Sequence, residues 1–180
     1  FIKDHFTLIK GFEKISKDNK NLVLFLQGSG LEKDKKIKDY IERNKISNIF
    51  FSKSLDKEYF FKQIDIHVLS SYGESFPNVV VEAIQRKILS LSSDVGDVGY
   101  ILPKELIFKT SNVNDLSKKL LLLINLIKNK SKKIDLLKKN LKKKIDKNFQ
   151  FLKQKEKFNI IWDYHIKNKN VLLIVPSLEG

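Results

Sequence analysis

Apolar residues recur along this chain with two alternating spacings. Phe6, Ile9, Phe12 and Ile15 fall three apart, which places them on one face of a helix over residues 3–16. Asp4 stands where such a helix needs an N-cap. Short apolar runs follow at 21–27, 48–51, 66–69, 88–92 and 105–108. Each is too short for a helix and is partly β-branched or aromatic, the pattern of buried strands. Between them lie amphipathic segments, one over residues 32–44 anchored by Ile37, Tyr40 and Ile41, and one over 55–63. Gly28 and Gly30 mark a turn after the first strand. Strand and helix alternating with short connections predict an α/β domain, a Rossmann-like parallel sheet covered by helices on both faces.

From Val113 onward the period is helical throughout. Leu116, Leu120, Leu123 and Ile127 share one face, and Ile134, Leu137, Leu141 and Ile145 share another on a lysine-rich helix over 131–148. A last helix is expected over 151–166, with Phe158, Ile161, Trp162 and Ile166 inward. Residues 170–180 change character again, with the run Val171–Val175 giving a strand and Pro176-Ser177 a turn.

Composition narrows the chemistry. The chain has 180 residues, enough for one α/β domain with a substantial core. It has no cysteine and three histidines, so disulfides and thiolate metal sites are excluded and a histidine-rich one is not expected. No apolar stretch is long enough to cross a bilayer. The net charge of +14 comes almost wholly from lysine. It permits attraction to sugar phosphates, anionic lipid or nucleic acid. The lysines are spread over every helix rather than gathered with aromatic platforms, which counts against a nucleic-acid-binding domain. The lysine-rich helix fits either a solvated face packed on the domain or peripheral contact with an anionic membrane; its narrow apolar stripe favours the first. With no Met and a first residue Phe1, the sequence reads as a piece of a longer chain.

The chain is organised around the stretch from Ser70 to Ala83. A strand ends at Leu69, a small polar and acidic loop follows, and Pro77 suits the first position of a helix. In open α/β sheets ligands sit beyond the carboxyl ends of the strands, where helix-start amides face anions. Glu74 and Glu82 flank this helix start. From spacing alone, Glu74 is a helix cap and Glu82 a solvated carboxylate.

Gly73-Glu-Ser-Phe-Pro-Asn-Val-Val-Val-Glu82-Ala resembles the signature of the family-4 retaining glycosyltransferases, which have the GT-B fold. The likeness continues in register to Ser93-Asp-Val-Gly-Asp97. Lys3-Asp-His-Phe-Thr-Leu-Ile9 and the Gly28-Ser-Gly30 turn are similar to two further family segments. Lys87 and Leu89 depart from it, standing where the family has Gly and Pro.

The resemblance implies a C-terminal, sugar-nucleotide-binding GT-B domain over residues 1–168, lacking its first strand, with 169–180 either opening a following N-terminal GT-B domain or adding a strand. It assigns Glu74 to the donor sugar as the catalytic position. Glu82 would hold the ribose and Lys3 the diphosphate. Ser75, Phe76, Pro77, Asn78, Gly28 and Gly30 complete the donor-binding set. The partner arginine of the phosphate clamp would lie ahead of Phe1. The implied partners are a nucleotide-diphosphate sugar, a glycan or lipid-linked acceptor and an N-terminal GT-B domain. No metal or cofactor is expected. The implied setting is a bacterial hexosyltransferase of polysaccharide and cell-envelope biosynthesis, cytoplasmic or peripheral at the inner membrane face. A chain that only binds donor, without turnover, is the alternative.

Overall fold

The structure is a computed structural model that describes residues 3–28, 30–52 and 56–148. Its elements alternate along the chain: α1 (His5–Ser16), β1 (Leu24–Gln27), α2 (Lys35–Arg43), β2 (Ile49–Ser52), α3 (Lys57–Lys62), β3 (Ile66–Leu69), α4 (Asn78–Gln85), β4 (Leu89–Ser93), α5 (Val98–Ile101), β5 (Ile107–Phe108), α6 (Val113–Lys128) and α7 (Lys132–Asn148). All pairings between these strands are parallel, as the alternation implies.

Hydrogen bonds join the strands into two groups, β1–β2 and β3–β4–β5, instead of the single expected sheet. Leu24 pairs with Ile49 in one group; Ile66 pairs with Leu89, and Ser92 with Ile107, in the other. A slot of about 880 Å³ separates β1 from β3. It is lined along the whole of 21–28 on one side and 63–70 on the other. The run 21–27 is therefore less buried than its apolar character predicts: only Leu26 is covered, while Val23, Phe25 and the neighbouring Phe50 are exposed.

β4 is the centre of the fold and is buried along its whole length. Its serines are satisfied internally. Ser90 Oγ lies 2.7 Å from His67 Nδ1, and Ser93 Oγ donates to the Ser71 carbonyl at 2.8 Å. A buried polar side chain is tolerated only with such partners.

Several element ends differ from the sequence expectation for local reasons. Residues 31–33 form a separate 3-10 turn, because Asp34 caps α2 by accepting from the Lys36 and Ile37 amides. Residues 104–106 are likewise a 3-10 turn, which leaves β5 only two residues long. Leu55, the expected start of the third helix, lies outside the described residues, as do 151–166 and 170–180.

Three helices end on a lysine in the left-handed conformation: Lys45 after α2, Lys87 after α4 and Lys130 after α6, with φ of 51°, 61° and 46°. After α4 the closing bonds run from Lys87 N–H to the Ile84 carbonyl at 2.9 Å and from Ile88 N–H to the Ala83 carbonyl at 3.0 Å. That pair is a Schellman closure, in which glycine is the usual residue. Lys87 therefore takes the conformation glycine adopts freely, and Leu89 starts β4, where a proline is also tolerated. The two departures from the family pattern leave the backbone path intact.

The apolar stripe of α7 is spent on packing. Ile134, Leu141 and Ile145 are buried, and the helix packs on α4, α5 and α6. Among the described residues, no helix is long and apolar enough to cross a membrane.

Candidate donor-binding site

The site is built where the chain leaves β3. Ser70 and Ser71 are buried, and two main-chain contacts tie the start of α1 to them. Lys3 forms an antiparallel bridge with Ser71, and Asp4 N–H donates to the Ser70 carbonyl at 2.7 Å. Asp4 is itself buried and caps α1: one carboxylate oxygen accepts from Thr7 N–H at 3.1 Å and the other from Thr7 Oγ1 at 2.6 Å. The Lys-Asp-His-Phe-Thr segment is thereby held against the Ser70–Glu74 loop.

This anchoring brings Lys3 and Glu74 together, although they lie 71 residues apart in sequence. Lys3 Nζ forms an ion pair with Glu74 Oε1, which also accepts from Ser71 Oγ at 2.6 Å. Partial burial on its own would raise the Glu74 pKa. The hydrogen bonds from Lys3 and Ser71, with the lysine charge, outweigh it and hold the carboxyl below its ordinary value. Glu74 is therefore a fixed anion with about a fifth of its side chain exposed.

Glu74 is not the cap of α4. The N-cap position belongs to Pro77, with no side-chain hydrogen bond, and α4 begins at Asn78. Pro77 thus sits one place before its expected position, because its ψ of 76° is not helical. Its carbonyl accepts from Val80 N–H at 3.0 Å. Ser75 and Asn78 are exposed beside this helix start, Phe76 is half-buried and Pro77 is buried. Glu82 stands about a turn and a half into α4 and is half-buried, not solvated as its spacing suggested. Its backbone carbonyl accepts from Arg86 Nη1 at 3.0 Å.

The loop after β4 completes the rim. Asp97 N–H donates to the Ser75 carbonyl at 3.2 Å. Gly96, at φ +49°, lies so close that a Cβ there would sit 2.1 Å from the Glu74 carbonyl oxygen and 2.5 Å from that of Ser75. The side chain of Ser71 is a site feature that motif reading overlooked; the missing side chain of Gly96 is one whose position it marked without its role. The in-register Ser93–Asp97 match pointed to the second.

Gly28 closes β1 at the same carboxyl end and lines the slot with Lys3. A Cβ on it would approach Leu31 Cδ1 to 2.7 Å. Gly30 follows at φ +78° as the N-cap of the 3-10 turn. The structure therefore places Lys3, Glu74, Ser75 and the start of α4 at one edge, with Gly28 and Gly30 on the neighbouring strand end.

A parallel α/β domain whose carboxyl edge carries a lysine, a fixed carboxylate and a helix start has the architecture of the C-terminal half of a GT-B glycosyltransferase. The comparisons agree. Residues 2–144 match the family described as Glycosyl transferases group 1, and the chain belongs to that family. No curated protein matches the chain. Among solved structures, the catalytic domain of cholesterol-alpha-glucosyltransferase from Helicobacter pylori is similar at 22% identity and a TM-score of 0.64. That match covers 79% of this chain and 89% of that one. A glycosyltransferase from Rickettsia africae gives a TM-score of 0.80 at 17% identity, over 93% of this chain and 46% of its own. TarM of S. aureus, solved with UDP, gives 0.74 at 19% identity, over 88% of this chain and 32% of its own. These likenesses carry the fold. The chain spans less than half the length of the last two proteins.

Proposed function

We propose that this domain binds a nucleotide-diphosphate sugar for a family-4, retaining hexosyltransferase reaction. The observation that carries the proposal is the meeting of Lys3 and Glu74 in front of α4. When the leaving diphosphate develops charge, Lys3 and the amides at the start of α4 oppose it without proton bookkeeping. Glu74, already anionic and held by Ser71, accepts hydrogen bonds from the hydroxyls of the donor sugar. Glu82 serves the ribose. Ser75, Phe76 and Asn78 flank the phosphates, and the Gly28–Gly30 turn gives the donor room to approach the backbone. The UDP in the TarM structure supports a uridine nucleotide as the first donor to try.

The acceptor, a glycan or lipid-linked sugar, would be presented by a second domain across a cleft. The 180-residue chain is short beside the two longer relatives. Alone, it is expected to bind donor and to release no nucleotide on addition of acceptor.

Calorimetric titration of the chain with UDP and UDP-sugars tests the assignment. Glu82→Ala removes a charged hydrogen bond to ribose worth about 1.5–3 kcal/mol, or roughly ten- to a hundredfold in Kd. Equal affinity in the two proteins would refute the ribose role. The reaction of the full-length enzyme is expected to persist in chelator; loss of turnover restored by Mg²⁺ would refute metal independence.

A further inference from the structure

Lys3 and Glu74 are bonded to each other, although the donor-site reading sends them to different parts of one ligand. Lys3 is assigned the diphosphate and Glu74 the sugar. The two partners are held very differently. Half of the Lys3 side chain is exposed, and its charge rides on a flexible four-carbon stem. Its main chain is fixed, since Lys3 bridges to Ser71 and the Asp4 N–H donates to the Ser70 carbonyl. Glu74 is only about a fifth exposed, and Ser71 Oγ donates to the same Oε1 at 2.6 Å. Ser71 is itself fully buried, and its carbonyl accepts from Ser93 Oγ at 2.8 Å. The ammonium is thus the part that can swing away, and the carboxylate the part that stays.

We propose that the Lys3–Glu74 pair is a lock that the diphosphate opens. Incoming phosphates take Lys3, and Glu74, kept in place by Ser71, is then free to accept from the sugar hydroxyls. This inference rests on the donor-site reading and adds an order to it. The three N–H groups of one ammonium can bridge two anions. Bridging here would hold the carboxylate and a phosphate about 5 Å apart, where like charges repel. A diphosphate carries more charge than a carboxylate, so it is the stronger claimant for Lys3. Recognition of the sugar therefore depends on the diphosphate, and Lys3 determines specificity as well as holding phosphate. A nucleoside diphosphate without a sugar breaks the pair and puts nothing in its place on Glu74. A nucleoside diphosphate sugar replaces it with hydrogen bonds from its own hydroxyls.

A double-mutant cycle on UDP affinity, read by calorimetric titration of the chain, separates this lock from plain charge repulsion. Glu74→Gln keeps the shape of the side chain and an acceptor for Ser71, but no longer pairs the lysine charge. It is expected to tighten UDP about two- to fivefold, the strength of a half-exposed ion pair. In a Lys3→Gln background the same change is expected to leave UDP affinity where it was. UDP-glucose behaves differently, because it uses the carboxylate. Glu74→Gln is expected to raise the ratio of its Kd to that of UDP about fivefold, the gap between a charged and a neutral acceptor. Tightening of UDP that persists without Lys3 would overturn the lock, since the carboxylate would then act by repulsion through space. UDP affinity unaltered by Glu74→Gln, or an unaltered ratio, would overturn it as well. Those outcomes leave the donor site standing. A chain that binds neither UDP nor UDP-glucose overturns the donor-site reading and the lock together.

Discussion

Replacing Gly96 by alanine tests whether the two loops at the rim work as one. The residue holds a φ of +49°, which costs an L-residue about 1–2 kcal/mol. The new Cβ would meet the Glu74 carbonyl oxygen at 2.1 Å. An ordinary C···O contact needs about 3.3 Å, so the loops must part by roughly 1 Å. Packing strain of that kind costs about 1–3 kcal/mol. The total, roughly 2–5 kcal/mol, is a large part of the stability of a domain this size. The contact is with the backbone of Glu74 and Ser75, so relief of the clash carries the Glu74 carboxylate away from Lys3 and weakens the Asp97–Ser75 hydrogen bond. Urea unfolding and donor titration read the two consequences separately. Gly99→Ala is the control, since a Cβ there meets nothing within 4 Å. If Gly96→Ala matched Gly99→Ala in both stability and donor affinity, the close approach of the loops would be refuted.

Other outcomes follow from the same geometry. His67 is fully buried, and desolvation, with a smaller contribution from the Lys3 charge, pushes its pKa down to about 4. The unfolded chain therefore takes up this proton near pH 6.5 and the folded one only near pH 4, so stability falls as pH drops through that window, by about 3 kcal/mol in full. His67→Gln should flatten that part of the pH–stability curve, and an unchanged slope would refute the assignment. Lys87→Gly should raise stability by about 1 kcal/mol by relieving the left-handed residue after α4; a lower unfolding midpoint would show that the lysine side chain contributes more than its backbone costs.

Much of the fold is legible because burial imposes periods on the sequence. The spacing of Phe6, Ile9, Phe12 and Ile15 locates α1, and the packing of α6 and α7 follows from their leucine and isoleucine stripes. Strand existence was clear at 66–69 and 88–92, where β-branched and leucine residues cluster. What escaped reading depends on groups far apart in sequence. Nothing near Glu74 announces that Ser71 and Lys3 will both bond its carboxylate, so spacing alone made it a helix cap. Apolar character also overstated the burial of 21–27, since Val23 is exposed and Phe25 is covered only in part, by the ring of Phe50, itself exposed. Helix ends were obscured for another reason. Where glycine would have signalled a stop, Lys45, Lys87 and Lys130 adopt the same backbone conformation without the tell-tale residue.

The stitching of Lys3 and Asp4 to Ser70 and Ser71 has a consequence for how the protein comes into being. These contacts close a loop that contains all of α1, β1, α2, β2, α3 and β3, so chain entropy is expected to delay them until the elements between are in place. The proposed donor site is accordingly expected to be among the last parts to mature during folding. A collapsed intermediate with native helices would still lack the Lys3–Glu74 pair, so if the proposed donor site holds, sugar-nucleotide capture would count only chains that have finished.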